Sequence, residues 1–238
     1  MGAAPPLETQ DLGHSFGDFD ALSDLSLTVA AGECVVLLGA NGSGKSTAVR
    51  TIAGVLEPSS GSVRVGGHDP HLEPDAELAR AELALVPDNP LLYGDLSVRE
   101  HLGLVVAAHG VSGPDADDRI DALLERMGIA DRADFVPTQL SRGMRQKTQL
   151  ACALIRPASL LVLDEPVVGL DPPSQALLRT MLIEAKAAGT GVLMTTHQLG
   201  FVEGLADRAA LLSDGQVMAM GTYDEVAAHV AALGWASA

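Results

Sequence analysis

The chain has 238 residues, 47% of them hydrophobic, which is enough for one large domain or a domain with an inserted subdomain around a sizeable core. Its formal net charge of −16 disfavours a nucleic-acid partner and direct adhesion to lipid, because both of those surfaces are anionic. Residues 1–6 lack signal-peptide features, no apolar run is long enough to span a membrane, and Cys34 and Cys152 lie in apolar segments typical of core positions. We therefore expect a globular cytoplasmic protein.

The first thirty residues have the pattern of paired strands. Residues 25–29 alternate apolar with small or polar side chains, as in a half-buried strand, and residues 7–12 can supply a partner. An antiparallel layer is therefore predicted. The turn-like segment 15–19 between them carries Phe16, whose ring either stacks on an adenine or packs in the core under a loop.

The stretch 39–47 reads Gly-Ala-Asn-Gly-Ser-Gly-Lys-Ser-Thr and follows an apolar strand predicted at 34–38. Its glycines allow consecutive N–H groups to point inward, and the helix that begins near Lys45 adds its positive dipole end, so the loop can hold a polyphosphate. Lys45 would reach the terminal phosphates, and the Ser46 hydroxyl would bind Mg²⁺. The alternative, a plain glycine-rich turn, is disfavoured by the flanking strand and helix. The predicted phosphate-binding residues are Gly39, Ala40, Asn41, Gly42, Ser43, Gly44, Lys45, Ser46 and Thr47.

The middle of the chain is mostly helical. Strands are predicted at 62–65 and 83–86, and the pattern then becomes helical from about residue 89 to residue 150. Its helix signals are a capping box at Ser97 and Glu100, apolar periodicity over about 115–127, and an N-cap at Ser141. This helical stretch interrupts a chain that is otherwise rich in strands.

Two carboxylates end the next buried strand, which is predicted at 160–163. In a parallel α/β sheet, ligands lie outside the carboxyl ends of the strands, where the Gly39 loop also falls. Asp164 is therefore a candidate Mg²⁺ ligand, and Glu165 is a candidate general base or water-orienting residue.

The strand predicted at 191–196 repeats this design and ends in His197. A lone histidine is more often structural, but a position on this rim favours a catalytic role. A hairpin that turns at Asp214 and Gly215, followed by a helix near 224–233, completes the chain.

These residues resemble the nucleotide-binding subunit of an ABC transporter, and the resemblance covers essentially the whole chain. Residues 140–144, Leu-Ser-Arg-Gly-Met, are similar to the family's L-S-G-G-Q signature, which binds the ATP of a second subunit. The family's adenine-stacking aromatic, dimer-contact loop and switch histidine fall at Phe16, Asp171 and His197. Order and spacing of all these motifs match.

The signature departs from the family pattern at two positions. Arg142 replaces the first Gly and Met144 replaces the Gln, whereas Ser141 and Gly143, the positions expected to approach the γ-phosphate, remain. Phosphate contact by the Ser141 hydroxyl and the helix N-terminus is therefore still possible.

Asp88 is a further departure, outside the signature, since the family usually has a Gln there that couples the metal to the membrane partner. The resemblance makes Asp88 a candidate third metal-site residue beside Ser46 and Asp164. Alternatively, Asp88 turns outward and pairs with a residue of the loop 89–94. An S-R-G-M signature with an acidic residue here is similar to cassettes that serve export-type permeases.

The resemblance implies an α/β fold, with a P-loop NTPase core on a mostly parallel sheet, an N-terminal antiparallel β layer and an inserted helical subdomain. A single ATPase domain would span residues 1–238, with its core at 1–88 and 156–238 and its helical subdomain at 89–155. The implied cofactors are ATP and Mg²⁺. The implied partners are an integral-membrane permease and a second ATPase subunit, in a homodimer or heterodimer, with no nucleic acid and no direct lipid anchor. The chain would lie in the cytoplasm, at the inner face of the cell membrane through the permease.

The predicted function is an ATPase subunit that dimerises head to tail around two ATP molecules and drives a separate permease, in the export direction. One alternative is a soluble non-transport ABC-type ATPase of DNA repair or ribosomes, which the acidic charge and the short span between Gly44 and Leu140 oppose. An ATP-sensing module without turnover is opposed by Glu165 and His197. A small-molecule kinase would leave the signature unexplained.

Overall fold

The computed structural model of the protein describes residues 4–111 and 116–232. The strands are β1 (Leu7–Phe16), β2 (Phe19–Val29), β3 (Cys34–Leu38), β4 (Ser60–Val65), β5 (Leu83–Val86), β6 (Leu160–Asp164), β7 (Gly191–Thr195), β8 (Arg208–Ser213) and β9 (Gln216–Thr222). The α-helices are α1 (Lys45–Ile52), α2 (Asp75–Glu82), α3 (Val98–Ala108), α4 (Ala116–Met127), α5 (Arg142–Leu154), α6 (Pro172–Ala187), α7 (Leu199–Val202) and α8 (Tyr223–Ala232). Two short 3-10 helices cover Ala130–Arg132 and Pro137–Gln139.

The chain divides into two compact units. The first contains the residues up to Leu85, Ala158–Glu165 and the residues from Arg179 onward. The second contains Val86–Pro157 and Pro166–Leu178. None of the helices in the two described ranges is both long and apolar enough to cross a membrane.

The first unit carries both sheets. The smaller sheet has the order β2-β1-β4 and is antiparallel, which confirms the predicted N-terminal layer. The larger sheet has the order β5-β6-β7-β3-β8-β9; its strands β6, β7, β3 and β8 are parallel, and β9 runs antiparallel to β8. Strands β3, β6 and β7 are buried along their whole length, as expected for a parallel sheet covered on both faces. The predicted mostly parallel sheet is therefore confirmed.

The core of the first unit joins these sheets to α1. It contains apolar side chains of both sheets together with Ala48, Val49 and Ile52 on one face of α1. This burial fixes the start of α1 at the end of β3, and thereby the loop that connects them.

The second unit is built around α3, α4 and α5. The capping box predicted at Ser97 is present, since the Ser97 hydroxyl accepts from Glu100 N and the Glu100 carboxylate accepts from Ser97 N. Helix α4 buries Ile120, Leu124 and Met127 at helical spacing. The predicted start of that helix, Asp115, lies outside the described residues.

The predicted C-terminal hairpin is present, and Ser213 pairs with Gln216 around the Asp214–Gly215 turn. The predicted last helix is α8, and its expected end at Leu233 lies outside the described residues. Three α-helices, α2, α6 and α7, were not predicted.

Candidate functional site

The glycine-rich loop connects β3 to α1 in a backbone conformation that only glycine fits. Gly39 has φ 152°, and a Cβ there would lie 2.4 Å from the carbonyl oxygen of Leu212. Gly44 has φ 102°, and a Cβ there would lie 2.5 Å from the carbonyl oxygen of Ala21. The loop is therefore held between the end of β8 and the start of β2, with no room for side chains at these two positions.

Lys45, the first residue of α1, folds its side chain back into the loop. Its ammonium donates to the carbonyl oxygens of Gly39 at 2.8 Å and Ala40 at 3.0 Å, and the residue is only 6% exposed. Burial lowers the Lys45 pKa, and the negative charges of Glu165 and Asp164 oppose that shift. The ammonium thus lies within electrostatic range of Asp164, the predicted Mg²⁺ ligand, and of Glu165, the predicted general base.

The loop residues fit a polyphosphate. The Ser43 hydroxyl is buried and has no hydrogen-bond partner among the described side chains and backbone groups, so a phosphate oxygen could accept from it. Helix α1 adds the free N–H groups of its first turn. Ser46 and Asp164 offer oxygen atoms, the ligands that Mg²⁺ prefers. ATP with Mg²⁺ therefore suits the chemistry of these residues.

Asp164 is held in place by Thr195 on the neighbouring strand β7. The two residues are register partners, and the Thr195 hydroxyl donates to Asp164 Oδ1 at 2.6 Å. Both residues are buried. Thr195 was not predicted as a site residue. Its only signal in the sequence is a hydroxyl within an otherwise apolar strand that ends on the predicted rim.

Glu165 has an unusual backbone conformation. Its φ is 48°, in the left-handed region that residues other than glycine rarely occupy, and such strain clusters at functional sites. Its N–H donates to Thr195 Oγ1 at 2.9 Å and lies 3.2 Å from the Thr195 carbonyl oxygen. Thr195 therefore also holds the backbone that aims the Glu165 side chain.

His197 follows β7 and lies beside that side chain. Its Nδ1 is 2.9 Å from Glu165 Oε2, and because a carboxylate can only accept, Nδ1 donates. The Glu165 side chain is 12% exposed and the His197 side chain 49% exposed. The structure therefore brings together these two residues predicted as catalytic, at the end of the sheet that carries the phosphate loop.

Phe16 lies at the end of β1, next to the hairpin turn into β2. Phe16 is 52% exposed, and its cross-strand partner Phe19 is 65% exposed. This exposure excludes the core alternative for Phe16. It leaves a ring available for stacking, and the adenine contact itself stays a prediction.

The signature residues lie in the second unit, at the start of α5. Ser141 is the N-cap, as predicted, and its hydroxyl accepts from Met144 N at 3.2 Å. A Cβ on Gly143 would lie 2.8 Å from the carbonyl oxygen of Gly169, and a Cβ on Gly169 would lie 3.3 Å from Arg142 Nε. The signature therefore packs directly on the loop predicted to make dimer contacts.

Asp171 ends that loop and begins α6. Its Oδ1 accepts from Ser174 N at 3.0 Å, and hydrogen bonds from Ser174 hold the pKa of Asp171 below its ordinary value, with a smaller contribution from the charge of Lys147. Asp171 is therefore charged at neutral pH and fixed at a helix N-terminus.

Asp88 also belongs to the second unit. Its Oδ2 accepts from the side-chain amide of Asn89 at 3.1 Å. This contact corresponds to the alternative in which Asp88 pairs with a residue of its own loop, and a metal role for Asp88 stays a prediction.

Comparisons with known proteins agree on one family. The family model described as ABC transporter matches residues 22–168. The ABC-type transporter ATP-binding protein EcsA of Bacillus subtilis (strain 168) is 35% identical over 220 residues, which cover 92% of this chain and 88% of EcsA. The SkfA peptide export ATP-binding protein SkfE of the same organism is 34% identical over 212 residues, 89% of this chain and 87% of SkfE. A solved structure of an ATP binding subunit of an ABC transporter superposes with a TM-score of 0.87 at 35% identity, covering 98% of this chain and 95% of that chain.

Proposed function

Because the chain belongs to the ABC transporter family, we propose that it is the ATPase subunit of an export-type transporter, with residues 1–238 as one ATPase domain. ATP binding and ATPase activity follow from the family, and the similarity to SkfE supports export. One observation of the structure carries the hydrolytic role: Glu165 and His197 are hydrogen-bonded at the strand ends beside the phosphate loop.

In the proposed mechanism, the loop binds the phosphates and Glu165 activates water. Backbone N–H groups of residues 39–47, the Ser43 hydroxyl and the Lys45 ammonium bind phosphate oxygens. Water attacks the γ-phosphorus, the bond from phosphorus to the ADP oxygen breaks, and Glu165 accepts the proton of the water. His197 orients the Glu165 carboxylate through its Nδ1 donor. Mg²⁺, held by Ser46 and Asp164 with Asp88 as a further candidate, would neutralise charge on the phosphates.

We further propose that two ATPase subunits close around two ATP molecules, in a homodimer or heterodimer. Each ATP would lie between the phosphate loop of one subunit and Ser141, Arg142, Gly143 and Met144 of the other. Exposure of Ser141 and Arg142 at the start of α5 supports this arrangement, as does the packing of the signature on the loop that carries Asp171.

ATP would stabilise the closed dimer because it binds the closed form more tightly than the open form. Hydrolysis would remove this preference, and the dimer would reopen. The change of shape would be passed to an integral-membrane permease at the inner face of the cell membrane. The similarity of this chain to ATP-binding proteins and subunits of ABC transporters supports such a partner.

The dimer is tested with Glu165→Gln protein, which is expected to bind ATP but to hydrolyse it slowly. Size-exclusion chromatography with Mg²⁺-ATP is expected to show a dimer that is absent without nucleotide. A chain that stays monomeric with ATP, both alone and with a candidate permease, sought as a protein with about six membrane spans in the neighbouring coding sequence, would contradict the sandwich. Such a candidate permease also tests the partner, since a true partner should copurify with this chain.

A further inference from the structure

Phe16 has a neighbour that holds its ring. The His14 and Phe16 rings meet edge to face, with centroids 4.5 Å apart and planes at 76°. Aromatic pairs of this geometry stabilise one another beyond their shared burial. The orientation of the exposed Phe16 ring therefore depends on where His14 is placed.

His14 is itself anchored on its other side. Its Nδ1 lies 2.8 Å from the carbonyl oxygen of Glu57, and because a carbonyl only accepts, Nδ1 carries the proton. Its Nε2 is buried and finds no hydrogen-bond partner in the part of the chain that the structure describes. The imidazole is thus partly buried and held by one hydrogen bond, and it meets the Phe16 ring edge to face.

The strand pairing around His14 is irregular. The pairing of β1 with β2 shifts register both between Leu12 and His14 and between His14 and Ser15. Irregularities of this kind re-aim a side chain and are common beside active sites. The segment before β4 secures the same strand end, since Ser59 N donates to the Gly13 carbonyl and Ser59 Oγ accepts from Ser15 N.

The strand end also lies close to the phosphate loop in sequence and structure. Phe19 pairs with Phe16 across the hairpin. Ala21 follows two residues later, and its carbonyl oxygen packs against Gly44 of the phosphate loop. A base attached to a phosphate chain in that loop can therefore reach the hairpin.

We propose that His14 is a positioning residue for nucleotide recognition: its imidazole, anchored on the Glu57 carbonyl, fixes the Phe16 ring on which the base of ATP stacks. This inference rests on the proposed function, in that it takes ATP as the ligand. His14 acts only through Phe16 and touches neither the base nor the phosphates. It therefore contributes to affinity for nucleotides and not to affinity for phosphate chains without a base.

The test compares His14→Asn, Phe16→Ala, the double variant and the native chain. Asparagine keeps a donor near the position of Nδ1 and removes the ring edge, and melting curves verify that each variant folds. Calorimetric titration uses ADP, which is not hydrolysed, and inorganic pyrophosphate, which has no base. His14→Asn is expected to raise the Kd for ADP about 2- to 10-fold, the range of one edge-to-face contact. The Kd for pyrophosphate should stay unchanged, and His14→Asn should have no further effect in the Phe16→Ala background.

Three results for His14→Asn would each overturn the proposal: an unchanged Kd for ADP, an equal loss of affinity for pyrophosphate, or the same additional loss of ADP affinity in the Phe16→Ala background. An unchanged Kd for ADP in Phe16→Ala also overturns it, because no stacking ring would then exist. Failure of the proposed function looks different, since the native chain itself would bind neither ADP nor pyrophosphate.

Discussion

The hydroxyl of Thr195 and the carboxylate of Asp164 are joined by a 2.6 Å hydrogen bond between the ends of two neighbouring parallel strands. The same hydroxyl accepts from the backbone N–H of Glu165. A single buried side chain thus orients the proposed metal ligand and the backbone of the proposed general base.

Thr195→Val tests this arrangement. Valine keeps the shape and removes the hydroxyl, leaving Asp164 Oδ1 without this donor and the Glu165 N–H without this acceptor. We expect a loss of about 1–3 kcal/mol in the free energy of unfolding and a fall of about 10- to 100-fold in ATP turnover. Thr195→Ser retains the hydroxyl and is the matched control. Urea unfolding and a phosphate-release assay measure the two effects, and a Val variant as active as the Ser variant would contradict the role of Thr195.

Lys45→Ala is expected to weaken ATP binding and lower turnover at least about 10-fold, since a charge-assisted contact to the phosphates is lost. The fold should persist, because the side chain contacts loop carbonyls rather than the apolar core. Lys186→Ala is the control: it removes another partly buried ammonium, which contacts Asp207 and the Leu205 carbonyl. It should change stability alone. Titration calorimetry and melting curves separate the two, and native affinity in Lys45→Ala would count against the phosphate site.

Mixing two inactive variants tests whether the signature acts on the ATP of a partner subunit. Lys45→Ala and Ser141→Arg are each expected to be inactive, and the mixture should recover part of the activity because one site of the mixed dimer has both halves intact. Because Ser141→Arg also removes a helix N-cap, Ser97→Ala is the control. It removes the N-cap of α3 and should leave hydrolysis intact. A mixture with no recovered phosphate release would favour a site within one chain or obligatory coupling of both sites.

Asp88→Gln tests the acidic residue in place of the family's glutamine. If Asp88 faces the metal, it adds a third carboxylate near Asp164 and Glu165, which repels ATP unless Mg²⁺ is present. The native chain should then bind metal-free ATP more weakly than the variant does. Its rate of ATP hydrolysis should also depend more steeply on the Mg²⁺ concentration. Asn89→Ala, which removes the observed partner of Asp88, is the control for a local effect. Identical ATP titrations of native and Asp88→Gln proteins, with and without Mg²⁺, would show that Asp88 does not face the metal.

The sequence predicted helices that have strong apolar periodicity or a clear start signal, such as α1 after the phosphate loop and α3, which Ser97 caps. It did not predict α2, which buries only Ala76 and Ala79 and so lacks an apolar stripe. Helix α6 carries a detectable signal in the buried pair Leu178 and Leu182, four residues apart.

Site residues with their own chemistry were predicted, whereas residues that act through a neighbour were not. The link between Thr195 and Asp164 depends on the register of two strands distant in sequence. The contact between His14 and Phe16 depends on a local shift in strand pairing. Neither relationship has a spacing signature, because register and irregular pairing are set by tertiary packing.

Phosphate release from Mg²⁺-ATP by the native chain and by Glu165→Gln tests the central claim, that this subunit hydrolyses ATP with Glu165 as the base. The native chain should turn over ATP, and the variant should be slower by about 10² to 10⁴ while still binding ATP. A variant that releases phosphate at the native rate, or a native chain that binds ATP and releases none either alone or with its membrane partner, would contradict the account.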